Sequence, residues 1–142
     1  MVLLFMRFFM SIGISAIGET VIKNRTLNVT SGASFVTSST TDVQITGMSL
    51  TAPIVGKYLV LFTCQSAQSN NGQQNIFTVY YNGAAVTNLS FAQIHAGGSL
   101  EVVTITGFVD VTTASTNIDM RLRVSNNTAT ITNRTLTITR VL

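Results

Sequence analysis

The 142-residue chain has no tryptophan, one proline, one cysteine, one histidine and few charges, with Asp, Glu, Lys and Arg making up only 9%. Each shortage closes off a class of chemistry. A lone cysteine cannot form an internal disulfide, and Cys64, at the end of Tyr58-Leu59-Val60-Leu61-Phe62-Thr63-Cys64, reads as a buried thiol among apolar neighbours. The one histidine leaves a nucleophilic triad a single candidate base, His95, in Gln93-Ile94-His95-Ala96-Gly97-Gly98. No Gly-x-Ser-x-Gly elbow precedes it and no Asp stands near it in sequence, so it reads as a loop residue.

The five acids, Glu19, Asp42, Glu101, Asp110 and Asp119, are dispersed and include no obvious pair for glycoside chemistry. Metal sites need three or four convergent ligands, and the one weak hint is that Asp110 and Asp119 meet across a turn to hold calcium. No glycine-rich run leads into a helix carrying Lys, so phosphate-loop nucleotide binding is unsupported. The expectation is a protein that is not an enzyme and carries no cofactor and no metal.

What the chain has in quantity is apolar and β-branched residues: 46% of positions are hydrophobic, and Thr, Ser and Asn fill most polar positions. That composition favours strands and turns, and it opposes the low-hydrophobicity signature of disorder. The length suits one domain with one core. The net charge of +3 is scattered without a run, so nucleic acid is not an expected partner.

From Glu19 onward, short alternating runs are separated by Gly, Asn and Ser clusters, the spacing of an antiparallel sandwich. Eight principal strands are expected near 20–30, 42–50, 57–66, 74–82, 84–91, 99–111, 116–124 and 133–141, with a short extra strand near Phe35. Ile118, Met120, Leu122 and Val124 alternate with Asp119, Arg121 and Arg123, which gives that strand one wet face. Asn82-Gly83 between two strand-like runs predicts a tight hairpin, and Pro53 marks a connection. The fold class is therefore all-β, an antiparallel jelly-roll sandwich of about eight strands with an apolar N-terminal arm.

The arm, residues 1–18, precedes the jelly-roll domain at 19–142. Met1 to Ile17 is nearly all apolar, with Arg7 its only charge. It lacks the basic start of a secretory signal and falls short of the roughly 20 apolar residues that cross a bilayer. It reads as an anchoring or assembly arm that docks through Leu3, Leu4, Phe5, Phe8, Phe9, Ile12 and Ile14, and membrane insertion is not expected.

The 57–66 strand is apolar on both faces, with Tyr58, Val60 and Phe62 on one and Leu59 and Leu61 on the other. A sandwich strand has one inner face, so the second needs a cover, either the arm or a partner subunit. These five residues with Phe108 form the expected oligomer interface. Tyr80, Tyr81 and Asn82 form a candidate ligand surface for a host glycan or receptor. Arg121 and Arg123, meeting Arg134 or Arg140, are expected to form a basic patch that binds phosphate or pairs with acids across an interface. Asn24, Asn28, Asn88, Asn126 and Asn133 each begin an Asn-x-Ser/Thr sequon, which matters only in a host that glycosylates. The heptapeptide from Asn24 echoes the one from Asn133, as adjacent first and last strands would.

The succession of Thr40-Thr41-Asp42-Val43-Gln44-Ile45-Thr46-Gly47-Met48, Gly56-Lys57-Tyr58-Leu59-Val60, Tyr81-Asn82-Gly83 and Asn133-Arg134-Thr135-Leu136-Thr137-Ile138 resembles the tumour necrosis factor-like (complement globular-head-like) jelly roll over roughly residues 34–142. More narrowly, the chain resembles the small trimeric jelly-roll proteins of viral and phage particles. The resemblance implies homotrimers with an aromatic-rich axis. The implied role is a head-fibre, spike, minor capsid or capsid decoration subunit on the virion surface, contacting other particle proteins through its arm. Missing Trp, acidic metal-site runs and a collagen stalk set it apart from the cytokine and complement members. The alternative is a secreted or surface-attached bacterial adhesive or carbohydrate-binding domain, extracellular or on the cell surface.

Overall fold

The computed structural model describes residues 25–141. Within them nine strands follow in order: β1 (Thr26–Ser31), β2 (Phe35–Thr37), β3 (Val43–Ala52), β4 (Gly56–Gln68), β5 (Gln74–Tyr81), β6 (Ala84–Ile94), β7 (Glu101–Val111), β8 (Thr116–Val124) and β9 (Ala129–Arg140). They form two antiparallel sheets. One runs β1-β9-β4-β7 with β2 also paired to β9, and the other runs β3-β8-β5-β6. This is a jelly-roll sandwich, as the strand spacing predicts, with β2 as the short extra strand. Residues 1–24, which include the arm and the start of the expected 20–30 strand, lie outside the described residues.

The two-residue period decides which side chains meet between the sheets. Tyr58, Val60, Phe62 and Cys64 of β4 face Phe77 and Val79 of β5 and Ile118, Met120, Leu122 and Val124 of β8, all buried. Phe62 meets Phe77 across the gap, with ring centroids 6.0 Å apart at a 41° tilt. Cys64 is a core thiol, and burial pushes its pKa up to about 12, so it is not nucleophilic at neutral pH. β1 lies along β9 with Thr26 opposite Thr139 and Thr30 opposite Thr135, so most of the two echoing segments pair directly.

Local irregularities carry much of the architecture. Asn82 and Gly83 both have positive φ, 50° and 78°, and close the two-residue turn between β5 and β6. The last strand begins at Ala129, earlier than expected, because Asn133 at φ 45° is a bulge inside β9 rather than a strand start. The bulge returns Arg134 to the inner face, where it is buried and its guanidinium donates to backbone carbonyls of Ala33, Ile131 and, from Nη2 at 3.1 Å, Thr46. Thr46 belongs to an excursion of β3: Gln44 pairs with Arg121 and Ser49 with Asp119, so four residues of β3 stand opposite Met120. Ile45 and Met48 turn inward there and Gly47 takes φ 79°. A similar excursion in β6 turns Leu89 toward β7, where Gly107 leaves room for it. A Cβ at Gly107 would collide with Leu89 Cδ2.

His95, expected to be a plain loop residue, is buried at one end of the sandwich. Its backbone N–H donates to Gln73 O at 3.1 Å and its carbonyl accepts from Gly72 at 2.9 Å, which ties the β6–β7 loop to the β4–β5 loop. Ser66 Oγ accepts from Asn75 Nδ2 at 2.7 Å and lies 3.2 Å from Nε2, and Asn75 Nδ2, which can only donate, also lies 3.2 Å from Nε2, so Nε2 is the acceptor and the ring proton belongs on Nδ1. Nδ1 is buried without a hydrogen bond, 3.9 Å from Glu101 Oε1. Burial holds the His95 pKa below its usual value, with Glu101 opposing in part.

Phe62→Ala should lower unfolding free energy by about 3–5 kcal/mol, read by urea denaturation. Because the folded state holds His95 neutral, its contribution is complete above the unfolded-state pKa near 6.5 and is lost as pH falls toward the depressed folded value. The urea midpoint should therefore drop from pH 7.5 to pH 5, and His95→Gln should flatten that drop. An undiminished slope in the variant would show that another group is responsible.

Candidate functional site

The outward residues of the two sheets differ sharply. On the β1-β9-β4-β7 sheet, Leu59 of β4 stands beside Thr139 of β9 and Phe108 of β7, the next row is Thr137, Leu61 and Thr106, and the next Thr135, Thr63 and Thr104. Among the described residues this face is uncharged except for one end, where Lys57 Nζ lies 3.8 Å from Asp110 Oδ1. Leu61, Phe108 and Val102 are exposed on it, Val102 to 74%. The neighbouring margin, where β6 and β7 run side by side, adds exposed Phe91, Ile94 and Leu100. A cleft of about 370 Å³ opens between the β5–β6 hairpin and β7, with Val86, Thr87 and Phe108 on its walls.

The structure divides the expected interface set. Tyr58, Val60 and Phe62 point into the protein's own core and have no surface to offer a partner, whereas Leu59, Leu61 and Phe108 share the outer face. The assignment of both sets to an interface followed from a strand apolar on both sides. Pleating sends one set to the second sheet, and only the other is left to be covered. Phe108 is the one aromatic among the described residues of that face, which is otherwise mostly Leu, Val and Thr. The anchoring residues Leu3, Leu4, Phe5, Phe8, Phe9, Ile12 and Ile14 lie outside the described residues.

The outer face of the β3-β8-β5-β6 sheet carries the charges. Arg123 Nη1 donates to Asp42 Oδ1 at 2.8 Å, and the Tyr80 hydroxyl donates to Asp42 Oδ2 at 2.7 Å, a bond that raises the Tyr80 pKa above its usual value. Arg121 Nε donates to Asp119 Oδ2 at 2.9 Å, and its guanidinium carbon lies 3.9 Å from the Tyr80 ring centroid. No joint basic patch forms. Arg134 is buried in the other sheet, and Arg140 donates to Val55 O at 3.0 Å near the β3–β4 connection, so neither reaches Arg121 or Arg123.

Tyr80 and Tyr81 do not make one platform, because neighbouring strand residues point to opposite faces. Tyr80 lies under Arg121, while the Tyr81 hydroxyl accepts from the backbone N–H groups of Thr112 and Thr113 at 3.0 and 2.9 Å. Asn82 instead borders a polar cleft of about 360 Å³ with Gln44, Ser49, Asn117, Asp119 and Arg121. Sequence reasoning missed this cleft because the β3 excursion that forms one wall has no signal beyond Gly47.

Asp110 and Asp119 lie on different sheets, Asp110 beside Lys57 and Asp119 beside Arg121, so they do not meet. Among the described residues no group of three or more His, Cys, Asp or Glu is arranged to hold a metal ion. Ser66, His95 and Glu101 fall in the order of nucleophile, base and acid, an arrangement invisible along the chain. Ser66 is completely buried and accepts from Asn75, so its Oγ is closed to any substrate carbonyl.

No protein-family model and no curated protein matches the sequence. Solved structures do match. The particle protein of infectious bursal disease virus superposes with a TM-score of 0.64 at 16% identity, over 82% of this chain and 31% of that one. The globular domain of zebrafish complement 1qA gives 0.58 at 10% identity, over 84% of this chain and 98% of that one. Murine APRIL gives 0.57 at 10% identity, over 84% and 100%. The chain thus spans about a third of the bursal virus protein and essentially the whole of the other two. What is shared at these identities is the fold, an antiparallel jelly roll.

Proposed function

We propose that the protein is a structural subunit of a virus or phage particle, a capsid decoration, minor capsid, head-fibre or spike component on the virion surface. In this reading it associates as a homotrimer through the outer face of the β1-β9-β4-β7 sheet. The observation that carries the proposal is that face, uncharged among the described residues outside Lys57 and Asp110 and bearing exposed Leu61, Phe108 and Val102. Charge depletion around exposed apolar side chains is what the centre of a subunit interface has and what a solvated sheet face lacks. Copies of this chain are the partner argued for, because identical subunits that share one uncharged face can close into a ring when the rotation between neighbours closes. The viral and TNF-like neighbours support the same direction by fold.

The apolar segment 1–18 is assigned to contacts with other particle proteins. Nothing in this role requires catalysis, a cofactor or a metal.

Light scattering on the full chain tests the assembly. The mass should be three times the 15.2 kDa chain mass, and Leu61→Asp with Phe108→Asp should reduce it to one chain without loss of the β-sheet circular dichroism signal. A folded monomer in the unsubstituted protein would overturn the trimer. A trimer that survives truncation of residues 1–18 would assign the arm to anchoring instead of to self-assembly.

A further inference from the structure

We infer that the cleft beside Arg121 is a binding site for an acidic sugar, one carboxylate on a hydroxylated ring. The cleft opens on the outer face of the β3-β8-β5-β6 sheet, away from the face proposed for self-association, so the inference does not depend on the trimer.

The recognition element is Arg121. Asp119 holds its Nε and the Tyr80 ring supports one flat side of the guanidinium, so its orientation is set before any ligand arrives. Asp119 is itself buried and Tyr80 is held in turn by Asp42. Neither Nη nitrogen of Arg121 has a hydrogen-bond partner among the described residues. A guanidinium with its Nε occupied and its two Nη groups open presents parallel donors at the spacing of a carboxylate.

The other walls suit hydroxyl groups. Gln44, Ser49, Asn82, Ser115 and Asn117 bring amides and hydroxyls in place of apolar surface. Thr51 Oγ1 donates to Asn117 Oδ1 at 2.8 Å, which fixes the amide with its N–H donors unspent. At about 360 Å³ the cleft lies at the small end of the roughly 300–1,000 Å³ range of ligand sites, the size for one sugar unit.

The site is also built rather than incidental. The β3 excursion falls opposite Met120, between Asp119 and Arg121, and buried Arg134 pins its Thr46 carbonyl from inside the sandwich. Bulges of this kind re-aim side chains next to binding sites. The far wall is the Asn82-Gly83 turn, whose positive φ values leave one conformation for it. Two rigid backbone features therefore frame one oriented cation.

The test is a titration of the full ¹⁵N-labelled chain with N-acetylneuraminic acid and, separately, with its methyl ester, which keeps the ring and hydroxyls but removes the charge. The acid should give saturable amide shifts at Asn82, Gly83 and Asn117, and the ester should bind at least roughly tenfold more weakly. Arg121→Gln should lose binding of the acid to the same degree, and Arg121→Lys, which keeps the charge but not the fork, should lose most of it. Arg25→Gln, at the start of the other sheet, should bind as the unsubstituted protein does. Equal binding of acid and ester, unchanged binding in both Arg121 variants, or sodium acetate binding as tightly as the sugar would each overturn the assignment.

Discussion

The contact on which the rest of the molecule depends is the closure of two apolar sheet faces around Phe62 and Phe77. Each ring comes from the middle of its sheet, and around them Tyr58, Val60, Met120, Leu122, Leu136 and Ile138 are sealed from water. A side chain of this size contributes about 1.5–3 kcal/mol when fully buried, so this layer supplies most of what offsets the entropy of ordering nine strands. Everything functional is then a question of what the two outer faces carry, because strand pleating forces every second residue outward.

Those outer faces have been given opposite chemistry. One is Thr, Leu and Phe108 with a single ion pair at its end, and the other holds Asp42, Asp119, Arg121 and Arg123 in two paired sets. Threonine on an exposed sheet satisfies β propensity without charge, so a partner sheet surface can approach without stripping water from ions. The charged face spends its acids locally: each carboxylate orients an arginine, and Tyr80 links the two pairs by bonding Asp42 and lying against Arg121.

Two sets of buried polar groups tie irregular backbone to the core. Arg134 donates to the backbone carbonyls of Ala33, Ile131 and Thr46, which makes a buried cation tolerable without an acid. His95, Ser66 and Asn75 close a network beneath the β6–β7 loop. Ile94, the last residue of β6, and Leu100 of that loop stand exposed at the margin of the uncharged face.

Strand number, the tight turn at Asn82-Gly83, the connection at Pro53 and the inner face of β8 were legible in the chain, because they follow from a two-residue period and from residues that tolerate positive φ. The pairing of the first and last strands was legible in their echo. The sidedness of β4 was not: Tyr58, Val60 and Phe62 look no different in sequence from Leu59 and Leu61, and only the position of the second sheet makes one set core and the other surface. The destinations of Arg134 and His95 were equally hidden, since a bulge at Asn133 and a loop folded over Gln73 decide them through long-range hydrogen bonds. Local periodicity chose the elements, while the polar cleft, the split of the arginines and the uncharged face arose from which strands the fold placed side by side.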